Sequence, residues 1–190
     1  MKYDQFIESK KRKFAECGFD AKRLNGQLFP FQRDIVRKAI KRGKYAIFAD
    51  CGLGKTFMQL EWAHRVAKHE KKPVLLLCPL AVSAQTIREA RRFGIDAQKF
   101  PNGTVQVLNY DQIENVDAGE FAGVVLDESS ILKNMQGKMR NAIINKFEQT
   151  KYKLACTATP SPNDPVELGN HSEFLDVMKM TEMSAMYFVH

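Results

Sequence analysis

Five short apolar runs limit what this chain can fold into: Tyr45 to Ala49, Val74 to Cys78, Val105 to Leu108, Ala122 to Leu126 and Tyr152 to Cys156. Each is continuous rather than alternating, which suits a strand buried on both faces, and longer stretches of helical period separate most of them. Strands of that kind joined by helices make parallel crossovers, so the sequence predicts an α/β chain with a mostly parallel central sheet and helices on both sides. Two helices are expected ahead of it. Phe6, Ile7, Phe14 and Cys17 recur with helical spacing before Gly18, which predicts a basic amphipathic helix over residues 3 to 17. Phe31, Ile35, Ala39 and Ile40, with Pro30 at the start and Gly43 after the end, predict a second.

The chain has 190 residues, the length of one domain. With 44% hydrophobic and 27% charged residues it can build a core and lies far from disordered compositions. Its longest apolar run, Val74 to Val82, falls short of the roughly 18 residues that a spanning helix needs, so no membrane association is expected. Lys10-Lys11-Arg12-Lys13 stands where a leader peptide would be hydrophobic, and the expected location is cytoplasmic. Cys17, Cys51, Cys78 and Cys156 have no CxxC spacing, which argues against structural zinc and a disulfide framework. His64, His69, His171 and His190 have no ligand spacing and read as surface or locally hydrogen-bonded groups, and Trp62 reads as core.

Charge is unevenly placed. Residues 1–44 carry 13 Lys and Arg against 5 Asp and Glu, a net of +8; residues 45–190 carry 16 against 17, a net of −1. Such a segment is either a solvated helical face or a contact for a polyanion, and charge alone leaves both open. The expected organisation is a basic helical segment, 1–44, packed on the α/β domain, 45–190.

Ala49-Asp50-Cys51-Gly52-Leu53-Gly54-Lys55-Thr56 follows the first predicted strand and opens the helix Phe57 to His69. Strand, glycine-rich loop and helix is the context of a phosphate-binding loop. Gly52 and Gly54 let backbone N–H groups turn inward, and the helix N-terminus adds partial positive charge. Lys55 is expected on the β- and γ-phosphates of ATP and the Thr56 hydroxyl on Mg2+. Ala49 stands in place of the usual first glycine. Val124-Val125-Leu126-Asp127-Glu128 is an apolar strand ending in two acids, 72 residues beyond Lys55. At the end of a strand neighbouring the first, Asp127 could hold Mg2+ while Glu128 polarises the attacking water. Both strand ends would then face one crevice, where doubly wound sheets bind ligands.

From about Phe29 to Asp176 the chain resembles the superfamily 2 helicases and translocases, most closely the Swi/Snf-type branch with its phage and bacterial relatives. The resemblance rests on the phosphate loop, on Asp127-Glu128-Ser129-Ser130-Ile131-Leu132-Lys133-Asn134, and on Thr157-Ala158-Thr159-Pro160 with Glu167-Leu168. It implies a three-layer, RecA-like P-loop NTPase domain that binds Mg2+ and ATP, with Lys55, Asp127 and Glu128 as the catalytic set. Gln32, 23 residues before Lys55, matches the adenine-reading element; an amide can give and accept one hydrogen bond on adenine. Leu77 to Gln85 and Asn109 to Asp111 match elements on the nucleic-acid side, where Ser83, Gln85 and Asn109 could hold phosphates; helix capping accounts for each equally well. Thr157 and Thr159 resemble the segment that couples nucleotide state to nucleic-acid grip. Ser130 replaces the usual His or Asp, so its link to that segment is expected to be a short hydroxyl bond or a water.

No segment here resembles the family's second RecA-like domain or its arginine finger, so the sequence reads as the first half of a motor, weakly active or inactive alone. The resemblance implies a partner in that second domain and a DNA-dependent translocase acting on DNA, duplex in the first place, without sequence preference. A DEAD-box-like RNA helicase half and a module that binds nucleotide without hydrolysing it are the alternatives.

Overall fold

The computed structural model describes residues 16–133 and 137–188. In chain order the elements are α1 (Pro30–Arg42), β1 (Lys44–Phe48), α2 (Lys55–Glu70), β2 (Val74–Cys78), α3 (Leu80–Arg92), β3 (Ala97–Lys99), β4 (Val105–Asn109), β5 (Gly123–Asp127), α4 (Lys138–Lys146), β6 (Tyr152–Thr157), α5 (Leu168–Phe174) and α6 (Met180–Tyr187). Short 3-10 turns at Tyr110–Asn115 and Ser129–Lys133 follow β4 and β5. The sheet runs β1-β6-β5-β2-β4-β3, and every adjacent pair is parallel.

The five apolar runs form β1, β2, β4, β5 and β6. Side chains alternate across the pleat, so Val74, Leu76 and Cys78 pack on one face with α1, α2 and α3, while Leu75 and Leu77 pack on the other with α4 and α5. Both faces of the inner strands are covered, which is why no polar alternation marks them. Leu75, Leu76 and Leu77 are fully buried. Each is worth about 1.5–3 kcal/mol in burial, and truncation of one to Ala would cost about 2–5 kcal/mol once the cavity is included. Trp62 on α2 is also fully buried, with its ring edge-on to Tyr152.

Three features depart from the sequence reading. The strand β3 is only three residues long, and Gln98 and Lys99 within it are exposed. An edge strand so short and polar has no apolar run to betray it. Secondly, β1 and β5 are not neighbours, because β6 lies between them, with Phe48 opposite Thr157 and Asp127 opposite Cys156. The helix expected over residues 3 to 17 lies outside the described residues for 3–15. Glu16 and Cys17 are not helical, and the Cys17 and Phe19 amides donate to Arg42 and Ile40 along the end of α1. Gly43, with φ of 78°, ends that helix; a Cβ there would sit 2.4 Å from the Cys17 sulfur. Among the described residues no helix is long and apolar enough to cross a membrane.

Candidate nucleotide site

The phosphate loop leaves β1 after Phe48 and closes at the N-terminus of α2, which begins at Lys55, two residues earlier than expected. Gly52 and Gly54 both have positive φ, 82° and 75°, which only glycine adopts without strain. Gly54 caps α2 and is fitted closely, since a Cβ on it would lie 2.4 Å from Gln32 Nε2. Gln32 is buried and both ends of its amide are engaged. Its oxygen accepts from the Phe29 amide at 3.0 Å, closing the first turn of α1, and its nitrogen donates to the Leu53 carbonyl at 2.9 Å. The residue expected to read a base is therefore a brace between α1 and the phosphate loop. Lys55 folds back over the loop and donates to the carbonyls of Ala49 and Asp50 at 2.7 and 3.1 Å.

A cleft of about 690 Å³ opens over this loop, bounded by Phe29, Gln32, Gly54, Thr56, Asp127 and Glu128 among others. Its size suits one drug-sized or nucleotide-sized ligand. Asp127 closes the floor. Burial pushes its carboxyl above the usual aspartate range and the neighbouring Glu128 adds to this, while Gln59 and Lys55 pull the other way. Gln59 lies fully buried on α2, where its amide meets no hydrogen-bond partner at normal geometry. Tyr110 donates its hydroxyl to the Asp127 carbonyl at 2.8 Å and holds the strand end from the β4 side. Gln59 carries no signal in sequence, because a buried glutamine in a helix reads as packing, and the element Asn109 to Asp111 gives no sign that Tyr110 would hold Asp127.

Glu128 sits in the left-handed region at φ 58°, strained for a residue with a side chain. Its Oε1 accepts two hydroxyls, from Ser130 at 2.7 Å and from Thr157 at 2.6 Å. The expected link from Ser130 to the coupling segment thus runs through the acid rather than past it. Thr157 is fully buried, and its oxygen also accepts from the Thr159 amide at 3.0 Å, which sets the turn leaving β6. Ser129 points the opposite way and meets His171 Nε2 on α5 at 3.0 Å. His171 is buried, so only the locally hydrogen-bonded half of the expectation for the histidines describes it.

The residues expected to face nucleic acid lie on α3, which follows β2, and at the end of the neighbouring β4. Gln85 bonds to Glu89 at 2.9 Å, and both line the cleft over the phosphate loop. Ser83 is half-buried one turn into α3, away from the cap position held by Pro79. Asn109 ends β4 opposite Cys78; its side chain caps nothing, and its buried Oδ1 has no partner. Burial raises the Cys78 thiol to about 12, so it is an inert core group.

The family model for the type III restriction enzyme, res subunit, matches residues 25–162, well over half of the chain and all three loops described above. This chain belongs to that ResIII family. As its sequence resemblance implies, it is a first RecA-like domain of the superfamily 2, Swi/Snf type, and it therefore carries a helicase- or translocase-type ATPase domain. The chain is also similar to relatives named SWI/SNF-related matrix-associated actin-dependent regulator of chromatin subfamily A-like protein 1. The Xenopus laevis protein is 28% identical over 77% of this chain and 17% of its own length, and that of Drosophila melanogaster is 28% identical over 87% and 24%. This ResIII domain thus spans about a fifth of the length of those relatives. Among solved structures, the Sulfolobus solfataricus SWI2/SNF2 ATPase core in complex with dsDNA superposes with a TM-score of 0.73 at 22% identity, covering 92% of this chain and 41% of that one. The UvsW helicase from bacteriophage T4 superposes with a TM-score of 0.62 at 15% identity, covering 93% and 65%. Both show the fold.

Proposed function

We propose that this domain is the ATP-binding half of a DNA-dependent translocase, in which Mg-ATP hydrolysis drives movement on DNA. The observation that carries the proposal is the joining of two strand ends at one acid that lines the cleft over the phosphate loop. The end of β1 brings the phosphate loop, β5 brings Asp127 and Glu128, and the Thr157 hydroxyl at the end of β6 binds Glu128 at 2.6 Å. An acid poised to polarise water is thereby bonded directly to the segment that leads away from the site.

The residues present fit a magnesium nucleotide. Lys55 rests on two backbone carbonyls, weak partners for an ammonium that a phosphate would replace. The α2 N-terminus and Gly52 present backbone N–H groups to the same space. Among the described residues no group of three His, Cys, Asp or Glu side chains could hold a metal. Magnesium held by phosphates needs only one or two protein ligands, and Thr56 and Asp127 supply them. The bound magnesium would supply charge neutralisation on the phosphate oxygens. Glu128 would orient water from the cleft, Lys55 would hold negative charge on the transferred group, and Phe29, exposed at the rim, offers a flat apolar surface beside Gln32.

DNA as the track is supported by the basic balance of residues 1–44 and by the fold shared with the archaeal ATPase core. The family resemblance assigns the arginine finger to a second RecA-like domain, so turnover by this domain alone is expected to be lower by the 10³–10⁵ that such a residue typically supplies. Steady-state ATPase assays with duplex DNA, single strands and RNA test the proposal. Stimulation by RNA alone would replace it with the RNA-helicase reading, and binding without turnover in a two-domain protein would replace it with a nucleotide switch.

A further inference from the structure

His171 does not line the nucleotide cleft, yet from α5 it touches two of the segments that border it. Its Nε2 is 3.0 Å from the Ser129 hydroxyl, the residue directly after the strained Glu128. Its ring stands edge-on to Phe48, 5.2 Å between centroids and 83° between planes, and Phe48 is the last residue of β1 before the phosphate loop. The imidazole therefore touches both strand ends that bear on the nucleotide, from a helix that belongs to neither. Its Nδ1 is buried and meets no hydrogen-bond partner. In the tautomer with the proton on Nδ1, Nε2 accepts from the Ser129 hydroxyl. Burial holds the ring neutral, and this tautomer is the one that can accept.

Beside His171, α5 also carries a second polar chain, buried at Asn170 and Arg140 and half-buried at Glu173. Asn170, fully buried beside His171, accepts from Arg140 Nε at 2.8 Å and donates to the Lys133 carbonyl at 3.4 Å, at the end of the turn that starts with Ser129. Arg140 also pairs with Glu173 at 2.6 Å, and Glu173 accepts from the Met180 amide at 3.2 Å, the first residue of α6. Buried networks of this kind have few alternative arrangements, because every member left without a partner is costly.

We propose that His171 is a positioning residue for the nucleotide site: its bond to Ser129 and its contact with Phe48 set the acid pair and the phosphate loop together, and tie both to α5 and α6. The proposal rests on the reading of the cleft as a nucleotide site, and it adds a residue that the phosphate loop, the acid pair and the coupling threonines do not include.

The test is nitrogen NMR of the imidazoles in the chain labelled with 15N-histidine, with calorimetry on the same samples and Mg2+ plus a non-hydrolysable ATP analogue as probe. The His171 signals should report Nδ1–H and should move on binding, while His69, stacked on Phe19, stays put. In Ser129→Ala the analogue should still bind and the movement of His171 should shrink several-fold. His171→Gln, which returns an amide near the Nε2 position, should bind the analogue within about twofold of the parent, whereas His171→Leu should bind several-fold more weakly. Binding with an unmoved His171, or an equal movement in Ser129→Ala, would overturn the proposal and leave the nucleotide site standing. No binding by calorimetry would remove the site and the proposal together.

Discussion

The Thr157 hydroxyl donates to Oε1 of Glu128 at 2.6 Å, and the same oxygen takes the Ser130 hydroxyl at 2.7 Å. One carboxylate oxygen thus holds the end of β6 and the turn after β5 at once. Thr157→Val keeps the side-chain shape, removes the donor and strips the Thr159 amide of its acceptor. A hydrogen bond to a charged group is worth about 1.5–3 kcal/mol, and urea denaturation should show a loss of that order, recovered in Thr157→Ser. In a two-domain protein the Val variant should also hydrolyse ATP more slowly at unchanged nucleotide affinity. Wild-type turnover in the Val variant would detach Thr157 from Glu128.

Lys55→Ala removes the one ammonium that can turn from the Ala49 and Asp50 carbonyls to a phosphate. Each charge-assisted bond removed should cost about 1.5–3 kcal/mol of binding, a reduction in affinity of tenfold or more that calorimetry would register. Equal affinities would take the phosphates away from this loop.

Gly54→Ala places a methyl group 2.4 Å from Gln32 Nε2 at a φ that penalises any side chain by roughly 1–2 kcal/mol. The variant should melt at a lower temperature and lose nucleotide binding as the brace is pushed out. Gln32→Ala should be destabilised as well, because the Phe29 amide and the Leu53 carbonyl both lose partners. If Gln32 also meets adenine, preference for ATP over GTP will fall in competition binding, and an unchanged preference confines it to bracing.

Asp127 is an acid whose burial favours the protonated form. Folding then takes up a proton between the ordinary aspartate range and the raised value, and stability falls as pH climbs through that interval. Above it the ionised group is a standing cost. Asp127→Asn should therefore raise the melting temperature at neutral pH, with the gain vanishing below the ordinary aspartate range, while magnesium-dependent nucleotide binding is lost. A variant no more stable than the parent at pH 7 would show that the carboxylate is well compensated where it lies.

Binding to duplex DNA by the domain alone should be weak, about 10⁻⁴–10⁻⁶ M at physiological salt, and should decline as salt rises. Neutralising Lys10, Lys11, Arg12 and Lys13 should reduce the slope of log affinity against log salt by up to about 0.9 for each DNA phosphate that the segment would otherwise neutralise. An unchanged slope makes that segment a solvated face, and a titration without salt dependence removes DNA as a partner of this half.

The phosphate loop and the acid pair were legible because their chemistry fixes residue types over a few consecutive positions. Inner strands were legible because burial on both faces leaves nothing but apolar residues, as in Val74 to Cys78. What sequence did not reveal depends on pairing between distant segments. Nothing in Gln32 says that its amide will close on Leu53, and nothing in His171 says that it will face Ser129, 42 residues earlier. The position of β6 was equally hidden, since strand order follows from how crossovers stack and not from any one strand's composition.

That position has a consequence for synthesis. Because β6 pairs with β1 on one side and β5 on the other, it is, among the described residues, the only strand that β1 touches in the sheet. While the polypeptide is being made, β2, β4 and β5 can assemble from residues already released, but β1 has no edge to join until Thr157 has emerged. The loop that opens the site is written early in the chain and remains without a seat until nearly all of the domain exists. A nascent or truncated product ending before Tyr152 should expose β1 to chaperones and proteases, with its remaining strands already paired.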